Sequence, residues 1–172
     1  YLTDGTYGLV IFTNDHGFHV GDVLSGTVQT TLTKFQGNAE LKGVTATSDG
    51  LTVSTGGTIS ARVLDAEGAA ALTGANAGSL IKISGECTEQ TTGKYYINGI
   101  QLYNSLYSYE TPTVGNVYDC TGIFVMYNTY KEILPRQDGD LVPSAVTPTA
   151  VITFEDFNIE KGQNTTLAAT VA

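Results

Sequence analysis

Apolar and polar positions alternate along most of the chain, and one arrangement of alternating segments occurs twice. The first copy spans residues 1–41: a Tyr-led strand end, an Asp-Gly turn, an apolar return strand, the motif V-G-D-V-x-x-G-x-V and a closing Glu-Leu. The second copy begins at Tyr96, keeps this order and closes at Glu132-Ile133. Alternation with a period of two is typical of strands that bury one face. The repeat therefore predicts two similar β units.

The second copy predicts the more complete unit. We expect a long strand over 80–90, a hairpin over 94–104, a second long strand over 117–127 with a bulge or bend near Thr121-Gly122, and a short strand over 130–134. The hairpin turn is Asn98-Gly99, the strongest short hairpin signal, because both residues tolerate a positive φ. Five strands with a longer connection after the third follow the order of an OB-fold, a small Greek-key barrel.

The first copy predicts the same order from the second strand onward. We expect the end of a strand at 1–2 and further strands over 9–13, 23–33 and 39–47. Residues 52–53 either prolong the last strand or form a short extra one. The first strand of this unit would precede Tyr1, which leaves two edges unpaired. We expect an upstream peptide, the tail segment 151–159 or a strand exchanged with another chain to complete it. Since the chain starts without Met inside a strand pattern, we interpret it as a processed or excised piece.

The predicted fold class is therefore all-β: two tandem OB-fold-like five-stranded Greek-key barrels, the first without its N-terminal strand. One short bridging helix is expected within 59–74, where Asp65 lies near the start and Gly74 follows the end. A β-rich C-terminal tail completes the prediction. The predicted boundaries are listed in chain order: 1–58 for barrel 1, 59–78 for the bridge, 79–142 for barrel 2 and 143–172 for the linker and tail.

Composition agrees with strands and turns. Among 172 residues there are ten Tyr, twenty Gly and no Trp, and 41% are apolar. The net charge of −9 disfavours non-specific nucleic-acid binding, because an acidic surface repels phosphate. No apolar run approaches the ~20 residues of a membrane-spanning helix, and no signal peptide is recognisable.

At this point the order of motifs resembles a known family. The pattern Y-I/L-x-D/N-G, an apolar return strand, V-G-D-x-V-x-x-x-G and E-L is similar to tandem OB-fold modules of secreted and surface proteins of gut bacteria, which also occur beside extracellular bacterial nucleases. The tail 151–172 resembles the start of a bacterial Ig-like domain. The resemblance implies a non-catalytic, extracytoplasmic module of a larger secreted or surface protein. It does not specify a ligand.

Few residues suggest catalysis or metal binding. His16 and His19 share a short loop with carboxylates nearby, but a zinc site needs three or four rigid ligands, so we interpret them as surface residues beside a packing Phe18. Asp22 is expected to stabilise the turn into its strand. Glu40 and Glu132 recur with the fold, which favours a structural role. No catalytic cluster is recognisable, and we expect neither an enzyme nor a cofactor.

Cys87 and Cys120 are both predicted to point into the second barrel. Cys packs as a small apolar group, so free buried thiols are the simpler interpretation. A disulfide is the alternative if the chain is secreted.

The predicted binding surface follows from alternation in the second hairpin. If Ile97, Ile100 and Leu102 face the core, the residues between them face outward on a sheet surface that OB-folds commonly use for ligands. The candidate residues are Tyr96, Gln101, Tyr103, Lys82 and Lys94, with Tyr107 and Tyr109 at the rim. The alternative is that Tyr is simply a good residue for half-buried strands.

Two functional hypotheses follow. The first is a binding module, with carbohydrate or protein ahead of single-stranded nucleic acid because of the negative charge. The second is a structural spacer that holds other domains of the same polypeptide apart. Aromatic side chains exposed in a cleft would favour binding, and aromatic side chains covered by the neighbouring barrel or the tail would favour the spacer.

Overall fold

The computed structural model describes residues 1–144, and the regular secondary structure of this part is almost all β-strand, with one short α-helix and one 3-10 turn. The all-β prediction is confirmed. The predicted tail strands at 151–159 lie outside the described residues. In chain order the strands are β1 (Leu2–Thr3), β2 (Gly8–Phe12), β3 (Val23–Gly26), β4 (Thr31–Phe35), β5 (Asn38–Lys42), β6 (Leu51–Ser54), β7 (Arg62–Leu64), β8 (Leu80–Thr91), β9 (Lys94–Ile97), β10 (Ile100–Leu102), β11 (Val117–Tyr127), β12 (Tyr130–Leu134) and β13 (Leu141–Pro143).

Five strands of the second repeat form a closed ring. Strand β8 pairs antiparallel with β9, β9 antiparallel with β10, β10 parallel with β12, β12 antiparallel with β11, and β11 antiparallel with β8. Strand β7 adds parallel to β8, and β13 adds antiparallel to β11. The alternate inward residues of the ring make the hydrophobic core, which includes Ile81, Ile83, Cys87, Ile97, Ile100, Cys120, Phe124 and Ile133.

The first repeat has the same pairing order without closure. Strand β1 pairs antiparallel with β2, β2 parallel with β5, and β5 antiparallel with β4. The predicted long strand over 23–33 is wrong, since it divides into β3 and β4. Gly26 has a φ of +110°, Thr27 N–H donates to the carbonyl of Gly50, and β3 pairs with β6 instead of continuing. The short extra strand expected at 52–53 is therefore β6, and the strand expected over 39–47 ends at Lys42.

The bridging helix is shorter than predicted. Only α1 (Ala66–Ala71) is α-helical, and the Asp65 side chain caps it by accepting a hydrogen bond from Gly68 N–H at 2.7 Å. The first part of the predicted helix is strand β7, whose edge pairing with β8 outweighs its weak helix signal. A 3-10 turn follows at Gly74–Asn76.

The bulge predicted near Thr121-Gly122 is absent, because β11 keeps a regular register with both β8 and β12. Gly122 instead allows the backbone of β12 at Leu134 to pack closely against β11. A Cβ at this position would lie 2.5 Å from the carbonyl oxygen of Leu134.

The two repeats are joined by polar contacts at their hairpins. The Asn38 side chain donates to the Met126 carbonyl at 2.8 Å and accepts from Met126 N–H at 2.8 Å, so one amide bridges two strands. Asn128 N–H donates to the carbonyl of Gln36. Gly8 packs directly on the backbone of 77–79, where a Cβ would lie 2.5 Å from a carbonyl oxygen. A side chain at position 8 would not fit there, so the glycine allows the first repeat to pack closely on residues 77–79.

Candidate functional site

The predicted sheet surface is largely covered. Tyr96 and Gln101 are only 7% exposed each, so the expectation that they face solvent is wrong. They lie opposite each other on β9 and β10, and the Tyr96 hydroxyl donates to Gln101 Oε1 at 3.2 Å. Tyr103, just beyond β10, is 44% exposed. Alternation correctly separates these residues from the ring interior, but it does not show how much of their outer face is buried.

Burial raises the pKa of the Tyr1 phenol, and the negative charge of Glu132 raises it further. Glu132 on β12 lies directly beside Gln101 on the parallel strand β10, and it is itself buried. Burial raises the pKa of Glu132, and the positive charge of Lys94 opposes that shift. Tyr96, Gln101 and Glu132 therefore form a buried polar layer on the outer face of β9, β10 and β12.

The two candidate lysines differ in their surroundings. Lys82 Nζ lies 2.8 Å from Asp119 Oδ2 across the β8–β11 pair, and the Lys82 hydrogen bond lowers the pKa of Asp119. This lysine is occupied by a cross-strand ion pair. Lys94 is exposed at the start of β9, beside the polar layer.

A cleft of about 270 Å³ lies where the connection from β10 to β11 meets the connection from β12 to β13. Two predicted site residues, Tyr107 and Tyr109, line it, and Tyr118 contributes from β11. Polar groups on its walls include Ser108, Glu110, Gln137 and Asp138. Ligand pockets span roughly 300–1,000 Å³, so this cleft has room for one small ring or side chain.

The aromatic wall of the cleft is held by the ring beneath it. The Tyr118 hydroxyl accepts a hydrogen bond from Thr113 N–H at 2.9 Å, which fastens the β10–β11 connection to β11. Tyr109 packs against the hydrophobic core, and burial raises the pKa of its hydroxyl. Tyr107 and Tyr109 are both half-buried.

The structure thus separates the predicted site residues. Tyr107 and Tyr109 lie together in the cleft, whereas Tyr96 and Gln101 lie in the polar layer and Lys82 is paired elsewhere. Sequence reasoning missed Gln137 and Asp138, because their loop follows the last repeated motif. The turn-forming run Gln137-Asp138-Gly139 after Pro135 was the available signal for an exposed loop.

The histidine loop has a simple local structure. The rings of His16 and Phe18 are stacked with centroids 5.6 Å apart. His19 N–H donates to Asp22 Oδ2 at 2.7 Å, and Asp22 N–H donates back to the His19 carbonyl, which confirms the turn-stabilising role of Asp22. Within residues 1–144 no three His, Cys, Asp or Glu side chains come together as a metal site.

Both cysteines are buried free thiols. Cys120 lies opposite Ile83 on β8, four residues from Cys87, which corresponds to about 13 Å along a strand. Disulfides need Cα atoms within roughly 7 Å, so the register separates the two thiols. The interpretation as free thiols agrees with the structure.

No family model, curated protein or solved structure matches the chain. Across residues 1–144 no helix is long and apolar enough to cross a membrane.

Proposed function

We propose that the chain is a non-catalytic binding module of a larger bacterial surface or secreted protein, and that its ligand is a carbohydrate. The observation that carries this proposal is the cleft with Tyr107 and Tyr109 on its wall beside polar side chains. Aromatic rings offer flat apolar surface, and a few polar groups fix the orientation of a bound ligand. A sugar ring has both an apolar face and hydroxyl groups, so its chemistry matches this wall.

Charge favours carbohydrate over nucleic acid in this cleft. Glu110 and Asp138 are on its walls, no Lys or Arg is among the lining residues, and the whole chain carries −9. A phosphate backbone needs positive charge nearby. A neutral or amino sugar needs no positive charge in the cleft, and an uncharged peptide side chain needs none either. Protein is therefore the second ligand class.

The proposal includes the OB-fold assignment. The ring order β8, β9, β10, β12, β11 with a parallel β10–β12 pair is the order expected of a five-stranded Greek-key barrel, and the first repeat follows it in part. The sequence resemblance to tandem modules of secreted gut-bacterial proteins supports the extracytoplasmic location. The division into two barrels at residues 58 and 79 stays part of this proposal.

A spacer is the second candidate, and the junction between the repeats favours it. The Asn38 bridge to Met126 and the backbone contact at Gly8 are suited to holding two repeats in one orientation. The burial of Tyr96 also makes that face of the sheet less suited to binding a ligand. The cleft at Tyr107 supports the binding module instead.

Arrays of glycans, peptides and oligonucleotides distinguish these candidates. The proposal expects reproducible binding to a subset of glycans and none to oligonucleotides. Binding to none of the three classes would leave the spacer, and binding restricted to peptides would replace carbohydrate by protein. Tyr103→Ala tests the exposed tyrosine of the predicted sheet surface and is expected to leave the array pattern unchanged.

A further inference from the structure

Both connections that form the cleft bring a negative charge to it. Glu110 belongs to the connection from β10 to β11, Asp138 belongs to the connection from β12 to β13, and both side chains line the cleft. Within residues 1–144 neither carboxylate takes part in an ion pair, and the lining contains no Lys or Arg. Like charges around one small space repel each other, so a bound cation would be attracted by both.

The arginine nearest to Asp138 in sequence does not neutralise this charge. Arg136 Nε lies 2.9 Å from Asp140 Oδ2, Arg136 Nη2 lies 3.0 Å from Asp140 Oδ1, and Asp140 is buried. Such a two-pronged ion pair engages the guanidinium group and stiffens the loop. Asp138 uses only one carboxylate oxygen within this loop, because its Oδ1 accepts a hydrogen bond from Gly139 N–H at 3.0 Å. Its carboxylate therefore stays available at the cleft.

The Tyr118 hydroxyl is a second feature of the cleft that calls for a ligand, and it is independent of charge. Tyr118 lines the cleft although it is only 8% exposed, and its oxygen accepts a hydrogen bond from Thr113 N–H at 2.9 Å. A phenol hydroxyl can also donate one hydrogen bond, but no acceptor for that proton lies among residues 1–144. Since buried polar groups are generally hydrogen-bonded, a ligand oxygen would satisfy this donor.

We propose that the ligand of the cleft is an amino sugar with a free, protonated amino group. This inference rests on the carbohydrate-binding function proposed above and names the class of sugar. The sugar ring packs on Tyr107 and Tyr109, and one of its oxygens accepts the proton of Tyr118. The ammonium group is attracted to Glu110 and Asp138, and the faces of the tyrosine rings also attract a cation. The cleft of about 270 Å³ has room for one such ring.

The same chemistry disfavours other sugars. Acidic sugars, such as uronic acids and sulfated sugars, are repelled by the two carboxylates. N-acetylation of an amino sugar removes its positive charge and adds bulk, so it removes the electrostatic attraction and makes the ring harder to fit. A neutral hexose fits the aromatic wall equally well but lacks the cation. The expected order of affinity is therefore free amino sugar first, neutral sugars next and acidic sugars last.

Three trisaccharides with the same β-linked backbone test this order by calorimetric titration into the full 172-residue chain. They are the trimers of glucosamine, N-acetylglucosamine and glucose, which carry an ammonium, an acetamide or a hydroxyl group at the same ring position. A buffer at about pH 6 keeps the sugar amine protonated and ordinary carboxyl groups ionised. At low salt we expect the glucosamine trimer to bind at least about fivefold more tightly than the other two. High salt should remove most of this preference, because it screens exposed charges.

Two double variants with the same change in net charge localise the effect. Glu110→Gln/Asp138→Asn neutralises the cleft and is expected to weaken binding of the glucosamine trimer at least about fivefold, while binding of the glucose trimer stays unchanged. Asp49→Asn/Glu67→Gln neutralises two exposed acidic side chains outside the lining and is expected to bind all three trimers like wild type. All four positions are exposed, so both variants should fold, and a melting curve checks this.

The outcomes separate this inference from the binding function on which it rests. Equal affinity for the three trimers, or binding only of neutral glycans that Tyr107→Ala weakens, would overturn the amino-sugar inference and leave carbohydrate binding in place. Equal losses in the two double variants would assign the attraction to the overall charge of the chain and not to the cleft. Binding of a lysine peptide without any sugar would replace the amino sugar by protein. No binding to any glycan would overturn both proposals.

Discussion

Leu32 and Phe124 occupy corresponding positions in the two repeats, yet Leu32 is largely exposed and Phe124 is completely buried. The same strand order thus supports a filled core in one repeat and an open apolar edge in the other. The strand β8 accounts for the difference, because it closes only the second ring within the described residues.

Truncating the two side chains should therefore change the free energy of unfolding by very different amounts. Phe124→Ala is expected to lower the free energy of unfolding by about 3–5 kcal/mol, as removal of a buried aromatic side chain does. Leu32→Ala is expected to change it by no more than about 0.5 kcal/mol, as for exposed sites. Urea denaturation of the two variants checks this, and a comparable loss from Leu32→Ala would show that the first repeat is closed in solution.

The junction between the repeats should depend on Asn38. Asn38→Ala removes both hydrogen bonds to Met126 and leaves a backbone N–H and a C=O without these partners. An unsatisfied buried group costs about 1–3 kcal/mol, so we expect a loss of roughly 2–4 kcal/mol in the free energy of unfolding. Calorimetry should also show a broader transition as the repeats uncouple. Asn104→Ala, at an exposed asparagine, is the control and should behave like wild type.

Stability should vary with pH through Glu132. Burial raises its pKa above the ordinary value of 4.5, so the folded state binds this proton more tightly than the unfolded state. Between the two pKa values the free energy of unfolding falls as pH rises. Glu132→Gln removes this pH dependence. The free energy of unfolding of the variant should therefore match that of wild type below about pH 4.5, exceed it increasingly as the pH rises above 4.5, and then keep a constant lead. Parallel stability curves for variant and wild type would contradict this assignment.

The two thiols should be present but protected. Burial raises the pKa of Cys120 to about 12 and also raises that of Cys87, so little thiolate forms at neutral pH. We expect slow alkylation of the native chain at pH 8 and rapid reaction of two thiols in denaturant without reductant. Fewer than two reactive thiols under those conditions would indicate a disulfide.

Much of the fold could be predicted from the sequence because the repeat reinforces local signals. Asn98-Gly99 correctly placed a hairpin, and the alternation around Ile81 and Phe124 identified the core of the second repeat. The division of the 23–33 segment could not be predicted, because it depends on the close approach of Gly26 to Gly50, which are distant in sequence. Likewise, β7 was mistaken for helix, since its strand pairing with β8 is a tertiary contact.

The candidate site was only partly predictable for a related reason. Alternation indicates which residues lie outside the ring, but it does not indicate that Tyr96 on that outer face is buried. The rim tyrosines were identified because they cluster in one connection. Their polar neighbours Gln137 and Asp138 come from a loop with no counterpart in the repeated motif.

The cleft is tested most directly by calorimetric titration with a glycan selected on the array. We expect Tyr107→Ala to weaken binding at least about tenfold, which corresponds to about 1.4 kcal/mol. Tyr130→Ala, an exposed tyrosine on β12 away from the cleft lining, should leave the dissociation constant unchanged. Equal affinity of wild type and Tyr107→Ala, or equal losses in both variants, would contradict the assignment of this cleft as the binding site.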